Sequence, residues 1–121
     1  MAESGPFTVT YHDEAVVVGV EARTLDESVA SGLHDTLIAL TSEAKGRPFV
    51  VDLGRVEFAP SIAIGTLVRL NKAFSLDGNR FALAAVNRRV YKTLMVTRVT
   101  TLLQIYGSVT EALEAFRNGA D

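Results

Sequence analysis

Phe58-Ala59-Pro60-Ser61-Ile62-Ala63-Ile64-Gly65 is the stretch on which the reading of this chain turns. Upstream lies Phe49-Val50-Val51-Asp52-Leu53, a short run that is apolar on both faces and therefore reads as a central strand. Downstream, Ala63, Leu67, Leu70 and Phe74 recur at three- and four-residue steps, which predicts an amphipathic helix from about Ser61 to Leu76. The junction thus sets one hydroxyl, Ser61, in the first turn of a helix. Unbonded backbone N–H groups and the positive end of the helix dipole gather there and favour an anion. A serine so placed can cap the helix, bind a phosphate or carry one.

Toward the N-terminus, Phe7 to Tyr11 alternates with period two, His12-Asp13-Glu14 is a polar turn, and Ala15 to Val20 is rich in β-branched residues. Together they predict an opening hairpin. Thr24-Leu25-Asp26-Glu27 carries a helix-start signal, with Thr24 and Glu27 at capping-box spacing and Asp26 as a rival N-cap. Ala30, Leu33, Leu37, Leu40 and Ala44 then form one apolar stripe on a long helix; Gly46 is the expected stop, and Pro48 prevents continuation. Arg47 to Leu53 is the strand that follows.

Toward the C-terminus, Asp77-Gly78-Asn79 ends the helix begun at Ser61, and Arg80 to Val86 reads as a strand. Asn87 is placed to cap a short helix whose Val90 and Leu94 are i,i+4 partners. Leu102 to Tyr106 is a last strand. Ser108 and Glu111 form a second capping box, opening a terminal helix with Ala112, Leu113 and Phe116 on its inner side. The order β-β-α-β-α-β-α-β-α predicts an α/β fold: a mostly parallel, mixed sheet of four or five strands with about four helices. One domain is expected over residues 1–121, with its core at about 7–117.

Bulk properties exclude several classes. The chain has 121 residues, 48% of them hydrophobic, which is enough for a core without covalent staples. Cysteine is absent, so disulfide and thiolate chemistry are excluded. A formal charge of −2 with interspersed signs argues against direct nucleic-acid binding. The start lacks a signal-peptide pattern and apolar runs such as Ala15 to Val18 are too short to span a bilayer, so a cytoplasmic domain with no membrane contact is expected. No nucleophile elbow, Walker loop, dinucleotide fingerprint or zinc-protease helix occurs, so no enzyme activity, catalytic residue or cofactor is expected. His12 and His34 lack metal-ligand spacing and read as solvated, so no metal is expected. Asp52 reads as a bonder of local loop N–H groups. Arg88 and Arg89 read as a solvated face, with an acidic partner as the alternative.

The element order, with the residues at its junctions, resembles the STAS domain, the fold of bacterial anti-sigma factor antagonists. Leu25-Asp26 matches the pair that precedes the family's first helix. Val50-Val51-Asp52-Leu53 and Val56-Glu57-Phe58 match the strand and turn before its regulatory site, and Pro60-Ser61-Ile62-Ala63-Ile64-Gly65 aligns with that site. Asn79 to Leu83, Arg88-Arg89-Val90 and Ser108 to Leu113 also fit. The family tends to read Asp-Ser-Ser/Thr-Gly-Leu-Gly at the regulatory site. Pro60 therefore stands where it has aspartate, and Ile62 where it has a second hydroxyl residue.

The resemblance implies a small binding switch. Its partner would be an anti-sigma factor with a GHKL-type serine kinase fold, its phosphoacceptor Ser61, and its resetting enzyme a PP2C-type phosphatase. A phosphate at Ser61 would add about −1.5 to −2 charge. A helix N-terminus tolerates that charge, whereas a partner surface packed over it does not. Pro60, Ile62, Gly65, Thr66 and Arg69 are the candidate partner-binding residues; Ile62 falls away from the apolar stripe, with Thr66 and Arg69 near it. Two other readings stay open. One is a constitutive interaction or scaffold module, in which Ile62 and Ile64 pack on a partner or on a second copy as a homodimer. The other is a small-molecule or nucleotide-binding domain that uses the same helix start as an anion site.

Overall fold

In a computed structural model the described residues are 3–119; positions 1–2 and 120–121 of the expected domain lie outside them. Their order is β1 (Glu3–Ser4), β2 (Phe7–Tyr11), β3 (Val16–Val20), α1 (Glu27–Ala44), β4 (Phe49–Asp52), α2 (Ser61–Leu76), β5 (Phe81–Ala84), α3 (Arg88–Val96), β6 (Gln104–Tyr106) and α4 (Val109–Arg117). The sheet has six strands in the spatial order β1-β2-β3-β4-β5-β6. The strand beyond the expected four or five is β1, two residues pairing with Thr8 and Phe7, too short to show a period. β1, β2 and β3 are antiparallel neighbours, and β3 through β6 run parallel.

Sequential strand order has a geometric consequence. Each parallel crossover is right-handed, so α1, α2 and α3 all fall on one face of the sheet. That face carries the large side chains: Phe7, Val9, Val16, Val18, Val20, Phe49, Val51, Phe81 and Leu83 meet Leu33, Leu37, Leu67, Leu70, Phe74, Val90 and Leu94. Phe74 packs between Phe49, tilted at 56°, and Phe81, edge-to-face at 88°, with ring centroids 5.6 and 5.9 Å away. Each large apolar side chain fully buried here contributes about 1.5–3 kcal/mol. The other face presents the alternate strand residues, Val17, Val50 and Ala84, which are small enough for α4 to lie close through Ala112, Leu113 and Phe116.

The helix ends follow local rules, with two corrections. Asp26, not Thr24, caps α1: its Oδ1 accepts from the Val29 N–H at 2.9 Å. Thr24 is instead drawn into a parallel bridge with Phe58, a long-range pairing that its spacing from Glu27 could not show. At the other end α1 stops at Ala44, and Lys45 itself enters the left-handed region (φ 54°) before Gly46 follows at φ 84°. Arg47 closes this end, donating to the carbonyls of Ala44 (2.8 Å), Glu43 (3.1 Å) and His12 (2.8 Å). Tyr11 packs under its guanidinium and donates to Glu43 Oε1 at 2.7 Å. That hydrogen bond, with some burial and the Glu43 charge, holds the phenol above its usual pKa, partly opposed by Arg47. All of this sits at the amino ends of the parallel strands, opposite the carboxyl ends from which Ser61 is delivered.

Candidate functional site

The loop between β4 and α2 is clamped. Leu53, Val56 and Ala59 are buried. The Leu25 N–H donates to the Phe58 carbonyl at 2.8 Å, and the Glu57 N–H donates to the Arg23 carbonyl at 2.7 Å. An exposed Arg23–Glu57 ion pair at 3.0 Å spans the same seam. Asp52 turns back on its own loop, its Oδ1 accepting from the Gly54 N–H at 2.9 Å, the local role expected of it. Ser61 is thus delivered by an ordered segment.

α2 begins at Ser61, the position the apolar period indicated, with Pro60 as its N-cap. Pro60 has an extended ψ of 157° and no side chain that could cap. The first backbone bonds to its carbonyl come from Ala63 (3.0 Å) and Ile64 (3.2 Å). Among the described residues the N–H groups of Ser61 and Ile62, and the Ser61 hydroxyl, have no partner. The other three helices each carry a side-chain cap: Asp26 on Val29, Asn87 on Val90 at 2.8 Å, and Ser108 on Glu111 at 3.0 Å. Ser61 is exposed, and Ile62 beside it is 63% exposed.

The candidate contact residues divide. Pro60, Ile62, Gly65 and Arg69 reach the surface to differing degrees. Thr66 does not: it is 8% exposed, its hydroxyl donating to Glu27 Oε1 at 2.8 Å and accepting from Arg69 Nη2 at 3.0 Å. It braces α1 against α2 and positions the Arg69 guanidinium, whose Nη1 a Cβ added at Gly65 would meet at 3.5 Å. Ile64 is 1% exposed and belongs to the core, so it has no surface to offer a partner. The spacing could not reveal this, because the residues that cover Thr66 and Ile64 come from other elements.

A second element completes the site. Asn87 caps α3 with its Oδ1, while its Nδ2 donates to the Val56 carbonyl at 3.0 Å. This one amide ties the start of α3 to the loop that delivers Ser61. A shallow groove of about 330 Å³ results, lined by Ser61, Arg89, Lys92, Thr93, Val96 and Thr97. Arg89 and Lys92 are exposed and have no ion-pair partner among the described residues. Lys92 carried no signal in the sequence; only the neighbourhood of β4 and β5 brings α3 to Ser61. Val96, in the groove lining, is 72% exposed, and Met95 on α3 and Phe58 in the loop before Ser61 are also exposed.

The family model described as "Mlab, STAS domain" matches residues 7–104. The chain belongs to the STAS family. A STAS domain protein from Planctomyces limnophilus, named as an anti-sigma-factor antagonist, is similar in structure: TM-score 0.76 and 30% identity over 91% of this chain and 96% of that one. A Thermotoga neapolitana protein, provisionally named an anti-sigma factor antagonist, is 37% identical over 62 residues, 51% of this chain and 55% of the relative. The match therefore spans about half the length of that curated relative. The anti-sigma factor antagonist SpoIIAA, solved in its unphosphorylated form, shares the STAS fold at TM-score 0.73 and 15% identity, over 95% of this chain and 99% of that one. Among the described residues no helix of this STAS domain is long and apolar enough to cross a membrane, and no group of three or more acidic or histidine side chains could hold a metal ion.

Proposed function

We propose that this STAS domain is an anti-sigma factor antagonist whose partner binding is switched by phosphorylation of Ser61. It is a binding protein and a kinase substrate rather than a catalyst, acting in the cytoplasm. The observation that carries this reading is the exposed Ser61 hydroxyl at a helix start with unbonded N–H groups, beside two unpaired cations. A phosphate would be welcome in the free protein at such a point. Family membership supports the class of partner, an anti-sigma factor of GHKL-type kinase fold, and a PP2C-type phosphatase would reset the site. In the transfer step the Ser61 Oγ forms a bond to the γ-phosphorus of ATP. The bridging P–O bond breaks, ADP departs with the electron pair, and the hydroxyl proton passes to a base of the kinase.

The docking surface is the exposed edge of α2 around Ser61, namely Pro60, Ile62, Gly65 and Arg69, with Thr66 holding Arg69 in place from below. Packing a partner over a phosphate strips its water at a cost of several kcal/mol that nearby exposed cations offset only in part, so the phosphorylated form should bind at least ~100-fold more weakly. The test is a pull-down from the native lysate with wild type and Ser61→Asp, read by mass spectrometry with phosphosite mapping. A kinase-like partner held by wild type and lost with Ser61→Asp, with phosphate on Ser61, is the expected result. The same partner held equally by both, with no phosphate on Ser61, overturns the switch and leaves a constitutive adaptor.

A further inference from the structure

We propose that Arg89 and Lys92 are resident counter-ions for a phosphate carried on Ser61, so that the modified residue is held against α3 within the chain itself. This rests on Ser61 as the modified residue. Three observations carry it. First, the groove onto which Ser61 opens is walled by α3 and is lined by both cations. Second, α3 reads Arg-Arg-Val-Tyr-Lys-Thr-Leu-Met-Val, three cations and no acid, in a chain of net charge −2. Third, Arg88 and Arg89 stand in the first turn of α3, where the helix dipole opposes a positive charge. Neither Arg89 nor Lys92 is neutralised by a neighbour among the described residues. An arrangement that raises the free energy of the unmodified fold, and that a phosphate on the adjacent hydroxyl would relieve, is matched to the modified state.

The rest of the neighbourhood does not compete. Glu57, in the preceding loop, is paired with Arg23, and Glu27, on α1, accepts from Thr66. Asp26 is engaged as the cap of α1, and Arg69 is directed to Thr66. The Asn87–Val56 hydrogen bond ties the start of α3 to the loop, so the helix that bears the cations is in place before the phosphate arrives. Phosphorylation then has two effects at one surface. It adds negative charge at the start of α2, and it neutralises two cations left exposed on the unmodified surface.

The experiment installs phosphoserine at position 61 during synthesis of the full chain, so that no cognate kinase is needed. ³¹P NMR then follows the second ionisation of the phosphate, near pH 6 in an unperturbed phosphoserine. The expected result is an ionisation at least about half a pH unit lower in wild type than in the Arg89→Gln/Lys92→Gln variant, because opposite charges favour the dianion. The helix start is common to both proteins and cancels in the difference. Equal values overturn the proposal. If the double variant does not fold, the wild-type phosphoprotein decides alone: its Arg89 Nε–H and Lys92 Nζ resonances must move with the phosphate titration, and immobile resonances overturn it. A domain that shows this coupling but is never phosphorylated in the cell would refute the switch, while a phosphorylated domain without the coupling would refute the counter-ion role alone.

Discussion

Ser61 and Ser108 both stand at the start of a helix, one residue apart in the local frame, and the difference between them separates a hydroxyl used by the fold from one left unbonded. Ser108 is the N-cap of α4; its hydroxyl accepts from the Glu111 N–H at 3.0 Å and is consumed by the fold. Ser61 is the first residue inside α2, behind a proline that cannot cap, and its hydroxyl is left over. α1 and α3 resemble α4 in closing their starts with Asp26 and Asn87. The fold therefore satisfies three helix starts from within and leaves the fourth to something from outside. A hydroxyl already engaged as a cap would have to break that bond to receive a phosphoryl group; Ser61 has nothing to break.

This contrast predicts a graded series of truncations, each measured by chemical denaturation with circular dichroism. Asn87→Ala should be the most damaging, at about 2–4 kcal/mol, because it removes a cap and also leaves the buried Val56 carbonyl without its donor. A loss under about 1 kcal/mol would mean that the tie between α3 and the loop is incidental. Asp26→Ala should cost about 1–2 kcal/mol through the α1 cap alone.

Ser108→Ala should cost about 0.5–1 kcal/mol, since α4 is short and its cap is exposed. Ser61→Ala should change stability by less than about 0.5 kcal/mol, as expected for a surface change that removes no interaction. Equal losses for the two serines would erase the distinction between them. The sharpest variant is Pro60→Asp. A carboxylate cap is worth about 1 kcal/mol, but losing proline returns about 0.4–1 kcal/mol of freedom to the unfolded chain. Stability should therefore stay within about 0.5 kcal/mol of wild type, while the new charge competes with a phosphate on Ser61 and weakens its ³¹P shift.

What was legible in the sequence was whatever is encoded locally. The bounds of α2, the Asn87 cap, the Ser108–Glu111 start and the stripe from Ala30 to Ala44 all follow from spacing and from polar residues a few positions away. The STAS fold itself could be read from the element order and its junction residues. What escaped depends on contacts distant along the chain. Thr24 lost the cap to Asp26 because Phe58 pairs with it. Thr66, placed by helical spacing near Ile62, is covered because Glu27 reaches across from α1. The proximity of Lys92 to Ser61 exists only because β4 and β5 are neighbours and Asn87 binds Val56.

The sheet order has a further consequence, for how the molecule comes into being. Every strand from β1 to β6 lies beside its predecessor in the chain. As a growing polypeptide leaves the ribosome, each new βα unit therefore meets an edge that is already built, and no strand waits for a partner made much later. The surface around Ser61 should be assembled once α3 has emerged and docked, before β6 and α4 are made. Limited proteolysis of stalled nascent chains would show it: a chain with its exposed segment ending at Thr97 should already protect the loop before Ser61, and one ending at Leu76 should not.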